Sequence, residues 1–263
     1  MNKSRVEKIN FYSEILCKEM AVNVYLPECY SEGKAVPVLY FFHGRSGNED
    51  IIFHINMNEV ADSMIESKEI NPMIIVCPRI ENSRGLNSSL KYKEVFDSKE
   101  KNRVINLGMY EDYFIKEVIP LIDKNFNTIQ DKEGKYIGGA SAGGYIALHN
   151  AFRHKNMFSK VGGHMPALEL KLEEEDKAYF ESMDIWEKYD PIYIVKNNEV
   201  SPNIKVYLDA GHKDEGRFYE GCLALYEVLK EKGIDAENHV FPGNHSVEYI
   251  KSNIEKYLKF YGA

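Results

Sequence analysis

The sequence predicts an α/β fold: a mainly parallel central sheet with helices on both faces and an N-terminal antiparallel hairpin. Three observations predict it. Segments with strand patterns alternate with segments of helical period over most of the 263 residues. Residues 36–42 (VPVLYFF) and 73–77 (MIIVC) are unbroken apolar runs, as expected of strands covered on both faces. Gly138, Gly139, Gly143 and Gly144 surround Ser141 between a strand pattern and a helix pattern, which suits a tight strand-to-helix turn.

Taken in order, residues 11–17 and 21–26 read as two strands joined by a short polar turn. After the run at 36–42, Met57, Val60, Ala61, Met64 and Ile65 recur on one face of a helix, and 73–77 is the next strand. Residues 81–108 are polar without periodicity and read as a long loop. Residues 113–126 are helical in pattern, with a kink or break expected at Pro120. A strand at 136–139 leads into a helix over about 143–153, and 158–165 is a further strand. Residues 168–200 are acidic and then aromatic, 204–208 is a strand, and Phe218, Cys222, Leu225 and Leu229 mark a helix closed by Gly233. A short strand at 239–241 precedes a terminal helix whose inner face carries Val247, Ile250, Ile254, Tyr257 and Leu258. No Pro/Gly/Ser-rich stretch divides the chain, so residues 1–263 read as a single domain with candidate cap or insert segments at 81–108 and 168–200.

Composition narrows the function classes. Lys and Arg number 33 against 41 Asp and Glu, a net charge of −8. With no basic run, neither a nucleic acid nor an anionic membrane is an expected partner, because both are bound largely by positive charge. No apolar run reaches the roughly 20 residues of a membrane span. Charges throughout residues 1–20 leave no signal-peptide core, so the cytoplasm is the expected compartment, and export would need a leader upstream. Cys17, Cys29, Cys77 and Cys222 show no CxxC pair and no Cys/His zinc spacing. They read as reduced, mostly buried thiols, and no metal or organic cofactor is expected.

The chemistry is expected at the carboxyl ends of strands, where ligands bind in such sheets. Residues 139–143 (GASAG) form a G-x-S-x-G in a strand–turn–helix setting, which would lift the Ser141 hydroxyl out of the sheet as a nucleophile. An acyl-transfer site also needs two backbone N–H groups aimed at the developing oxyanion. Ala142, after the serine, and Arg45, in the loop after residues 36–42, are the expected donors, and His43 reads as a structural histidine that holds that loop. A serine nucleophile needs a base and an orienting acid, in the chain order Ser, Asp or Glu, His. His245, just before the terminal helix, is the expected base, while Asp209 and Asp214 compete for the acid. His164, at another strand end, is a candidate pocket-lining residue, and His212 reads as a loop residue. His54, His149, His154 and His239 join no constellation. Trp186, with Tyr179, Phe180 and Tyr189, would either stack on substrate or pack as an ordinary core.

Over nearly its whole length the chain resembles the esterase D / feruloyl esterase-like family of α/β-hydrolases. The resemblance rests on residues 22–27 (VNVYLP), 38–44 (VLYFFHG) with 46–50 (SGNED), 72–76, 118–121, 138–144 (GGASAGG), 211–214 (GHKD) and 243–245 (GNH). Ala140 and Ala142 depart from the Leu and Met that more often flank the serine in the family, which changes the pocket lining. The resemblance implies a three-layer α/β-hydrolase sandwich. It carries over Ser141, His245 and Asp214 as a catalytic triad, with Arg45 and Ala142 as oxyanion donors. It further implies a serine carboxylic-ester hydrolase acting on feruloyl or other hydroxycinnamoyl esters, or short acyl esters, of carbohydrates. S-formylglutathione hydrolases, siderophore esterases and acyltransferases share the family, and a non-catalytic binding module on this fold is the rival from another class.

Overall fold

The computed structural model describes residues 3–30, 33–97, 100, 102–180 and 182–263. Residues 98, 99, 101 and 181, inside the two candidate cap segments, lie outside the described residues. The strands are β1 (Arg5–Ser13), β2 (Lys18–Leu26), β3 (Val38–Phe42), β4 (Ile74–Pro78), β5 (Lys93–Phe96), β6 (Val104–Leu107), β7 (Lys135–Ala140), β8 (Lys160–His164), β9 (Lys205–Gly211) and β10 (Asp235–Phe241). Eight of them build one sheet in the order β1-β2-β4-β3-β7-β8-β9-β10. β1 and β2 run antiparallel, β2 pairs antiparallel with β4, and every pairing from β4 to β10 is parallel. This is the α/β-hydrolase fold expected from the sequence.

Alternation along the buried strands explains the layers. Val38, Tyr40, Phe42, Ile74, Val76, Val206 and Leu208 face one core, and Leu39, Phe41, Ile75, Cys77 and Tyr207 face the other. The first core is closed by α3 (Tyr110–Tyr113), α4 (Ile119–Asn125), α5 (Ala142–Arg153), α6 (Met183–Tyr189), α7 (Pro191–Asn197) and α8 (Phe218–Glu231). The second is closed by α1 (Ile51–His54), α2 (Met57–Glu66) and α9 (Val247–Gly262). Because β3 lies between β4 and β7, the strand order reverses beside it, and such a switch point opens a crevice at the strands' carboxyl ends.

Several local readings need correction. The first strand is Arg5–Ser13, not 11–17, and residues 14–17 are the turn. The Ser13 hydroxyl accepts the Leu16 N–H at 3.0 Å, and Cys17 turns to φ +54°, so the hairpin closes before 17. Residues 81–108 are not all loop, since β5 and β6 pair there as an antiparallel two-stranded ribbon. Pro120 does not break its helix. The turn at Phe114–Val118 widens to a π-helix just before it, which makes room for the ring and removes the need for its missing N–H. Only Cys77 and Cys222 are buried, while Cys17 sits in the exposed hairpin turn and Cys29 is exposed. At the end of α8, the Ile234 N–H reaches Leu229 O and the Gly233 N–H reaches Lys230 O, both at 3.0 Å, with Gly233 at φ +71°. That is the helix stop the sequence placed at Gly233.

Candidate active site

Four strand ends supply the site. β7 ends at Ala140, and Ser141 takes φ +57°, ψ −119° before α5 begins at Ala142. A serine is held in this sparsely populated region only by its surroundings. Its N–H donates to His164 O at 3.0 Å, and its carbonyl accepts the N–H groups of Tyr145 (3.1 Å) and Ala167 (3.0 Å). The turn also requires glycine at 143, where a Cβ would lie 2.2 Å from Phe42 O and 2.6 Å from His43 O. The α5 N-terminus is therefore pressed against the end of β3, which brings the two expected oxyanion donors into one place.

The loop after β3 is held by His43, a fully buried residue. Burial pushes its imidazole down to about 4, so the ring is neutral. With Nδ1–H donating to Gly44 O (2.8 Å), Nε2 accepts the Ile80 N–H (3.2 Å). Gly44 O and the Arg45 N–H belong to one trans peptide and point in opposite directions, so fixing the first fixes the second. The loop backs directly on the serine: a Cβ on Gly44 would lie 3.3 Å from Ser141 Cβ. Ala142 is the first residue of α5, where the backbone N–H has no partner within the helix. Its N–H is available at the positive end of the helix dipole.

β9 and β10 supply the rest. The His245 imidazole lies 2.8 Å from Ser141 Oγ through Nε2 and 2.8 Å from Asp214 Oδ2 through Nδ1. The Asp214 carboxylate is buried, and its other oxygen accepts the Gly216 N–H at 2.9 Å. Phe218, at the start of α8, packs edge-on against the His245 ring with centroids 5.2 Å apart. Its place in a helix stripe gave no sign of this contact. Asp209 points elsewhere: its buried carboxylate accepts His164 Nδ1 (2.9 Å) and the hydroxyls of Tyr249 (2.6 Å) and Tyr257 (2.9 Å).

Beside Ser141 is an open cleft of about 530 Å³. Gly44, Arg45, Ala142 and His245 line it, with Ile51, Ile55, Met165, Phe218, Val247 and Ile250 as apolar wall and Glu175 and His54 at the edge. Two candidate substrate-side residues are not there. Trp186 is 2% exposed, packed in the first core edge-on to Tyr193; Tyr179 and Phe180 belong to the same core and Tyr189 and Tyr193 pack partly buried against it, and none of these rings lines the cleft. His164 is fully buried, between Asp209 and the Tyr261 hydroxyl (3.0 Å), with its ring stacked on Tyr257. His212 accepts the Gly243 N–H on the neighbouring loop. His149 and His154, which the sequence left unassigned, converge on the buried Glu111 with Arg153, and none of the four lines the cleft. No cluster suited to a metal ion occurs among the described residues.

Residues 13–261 match the family described as "Putative esterase". The chain belongs to this esterase family. Among its relatives is an endo-1,4-beta-xylanase/feruloyl esterase of Xylanibacter ruminicola, 29% identical over 84% of this chain. The esterase-family chain spans only 29% of that relative's length. An S-formylglutathione hydrolase of Arabidopsis thaliana is 25% identical over 96% of this chain and 90% of its own. A solved ferulic acid esterase superposes with a TM-score of 0.81 at 24% identity, covering 100% of this chain and 98% of the other, a likeness of fold.

Proposed function

We propose that this esterase-family chain is a serine carboxylic-ester hydrolase that works through an acyl-enzyme. The observation that carries this reading is the continuous hydrogen-bonded chain Ser141–His245–Asp214 opening on a cleft beside two backbone donors. As Ser141 Oγ attacks the ester carbonyl, His245 Nε2 takes its proton, and Asp214 holds Nδ1–H and stabilises the imidazolium. The carbonyl oxygen becomes an oxyanion and is bound by the Arg45 and Ala142 N–H groups. Collapse of the tetrahedral adduct breaks the bond to the alcohol, which leaves with the proton from His245. Water then gives a proton to His245 and attacks the acyl-serine, and the second collapse returns that proton to Ser141 and releases the acid. No step draws on a cofactor.

For substrate, the cleft volume is within the range of small-molecule sites, and its apolar wall would accept an aromatic or short aliphatic acyl group. Together with the feruloyl esterase relative, this supports hydroxycinnamoyl or short acyl esters of carbohydrates as the substrate class. A thioester of the S-formylglutathione kind is the second reading, favoured by the relative that this chain matches along 90% of its length. Purified protein should be assayed on methyl ferulate, acetylated xylan, tributyrin and S-formylglutathione. At least one should be hydrolysed, and Ser141→Ala should abolish that turnover. Activity retained in Ser141→Ala would overturn the mechanism, and preference for the thioester would overturn the carbohydrate assignment.

A further inference from the structure

We propose that Arg84 and Asp176 are positioning residues that hold the two halves of the oxyanion site together through a strap of buried charge. The proposal rests on the assignment of Ser141 as nucleophile and of Arg45 and Ala142 as donors. Arg84 lies in segment 81–108 at φ +56° and is 3% exposed, an unusual depth for a charged side chain. Its guanidinium donates to Ala167 O (3.3 Å), to Glu169 (3.2 Å) and, most closely, to Asp176 Oδ2. It also lies over the Tyr145 ring, 5.1 Å from the centroid. Ala167 and Tyr145 are the residues whose N–H groups hold the Ser141 carbonyl. Arg84 thus braces both supports of the strained serine.

The other end of the strap reaches the opposite donor. The second oxygen of Asp176, which accepts no hydrogen bond, faces Nη2 of the partly exposed Arg45 at 3.6 Å as an ion pair, while Arg45 Nη1 lies 3.4 Å from Glu175. A continuous path therefore runs from Arg45 through Asp176 and Arg84 to Ala167, Tyr145 and Ser141. Its two ends are the loop that offers one backbone donor and the turn that offers the other. Buried ion pairs add little net stability, because desolvation offsets much of the attraction, but they fix geometry. An oxyanion site needs fixed geometry, since donors displaced by a fraction of an ångström lose their advantage in the transition state. Segment 168–200 then contributes to catalysis through Asp176, behind the site, and not through its aromatic rings.

The test is steady-state kinetics of Asp176→Asn and Arg84→Lys on 4-nitrophenyl acetate. It is paired with inhibition by an arylboronic acid, which forms a tetrahedral adduct on the serine, and with melting temperatures. Kcat should fall roughly 10–100-fold with KM within about twofold, and boronate affinity should weaken by a similar factor. A purely structural role would lower the melting temperature without moving the boronate affinity of the folded fraction. If Asp176→Asn does not fold, Arg45→Met cuts the strap at its solvent-facing end and should give the same split. Unchanged kcat in a folded variant, or a rise in KM alone, overturns the proposal. A wild-type protein without Ser141-dependent hydrolysis would instead overturn the functional reading, and the strap with it.

Discussion

Asp209 and Asp214 follow the same strand direction and carry the same carboxylate, yet their neighbours give them different work. Asp209 is satisfied by His164 and two tyrosine hydroxyls inside the second core, whereas Asp214 emerges past the strand end and meets His245. Asp214→Asn should therefore lower kcat by about 10³–10⁴, because the histidine loses its tautomer and the support of its charged form. Asp209→Asn should cost far less in kcat and mainly lower the melting temperature, since it leaves buried hydroxyl donors with a poorer acceptor. Kinetics and thermal melts of the two variants decide between them, and the reverse ranking would exclude Asp214 as the orienting acid. At the same scale, His43 shows how a bland residue acquires a role. Kept neutral by burial, it fixes the Gly44–Arg45 peptide in the loop that backs on the nucleophile.

Between elements, the joint of α6 and α7 carries a pH dependence. Asp190 caps α7 by accepting the N–H groups of Ile192 (2.9 Å) and Tyr193 (3.1 Å), but its other oxygen is buried with no hydrogen-bond partner. Burial pushes this carboxyl up to about 7 from an ordinary 3.8, against the pull of those N–H groups, with Glu169 adding to the rise and Arg84 opposing it. Between the two values the native state holds a proton that the unfolded chain has lost. Stability from this group is therefore present below about 4, falls as pH rises through about 7, and is flat above. Asp190→Asn keeps the cap and removes the charge, so its stability relative to wild type should grow by roughly 1–4 kcal/mol between pH 4 and pH 8.5. Urea midpoints at the two pH values measure this, and an equal offset at both would refute it. The same pair of helices explains Trp186. α6 packs its indole inward into the first core, edge-on to Tyr193 of α7, and it is not among the residues that line the cleft.

For the whole molecule, the net charge of −8 is concentrated partly near the cleft. A neighbouring depression shares Glu175 and Phe218 with the cleft and adds Glu169, Glu173, Glu215 and Glu220 against Lys171 and Arg217, an acidic excess. Such a rim repels anionic substrates, and the repulsion is screened over about 10 Å at 0.1 M salt. KM for a negatively charged ester such as 4-nitrophenyl succinate should fall about 2–5-fold as NaCl rises from 10 to 200 mM. KM for neutral 4-nitrophenyl acetate should stay level. A salt response shared by both esters would assign the effect to the protein's conformation and not to its field.

The sequence by itself determined the alternation of strands and helices over most of the chain, the inner faces of the helices near residues 57–65 and 247–258, and the strand-end positions of Ser141, Arg45, Asp214 and His245. Those features depend on near neighbours: apolar period, glycine at a crowded turn, a helix stop at Gly233. The tertiary structure decided what residue patterns left open between Asp209 and Asp214, that Trp186 is buried, that β5 and β6 pair within the polar stretch, and that Arg84 reaches Ala167 O and the Tyr145 ring. The contacts that assemble the site join distant segments: Ser141 and His245 are 104 positions apart, and Arg84 and Asp176 are 92, while β5 and β6 pair locally, within a polar stretch that carries no strand pattern of its own. A carboxylate or guanidinium has no periodicity that names its partner. The partner is set by where the loops converge at one end of the sheet, and only the packed helices and the strand order fix that place.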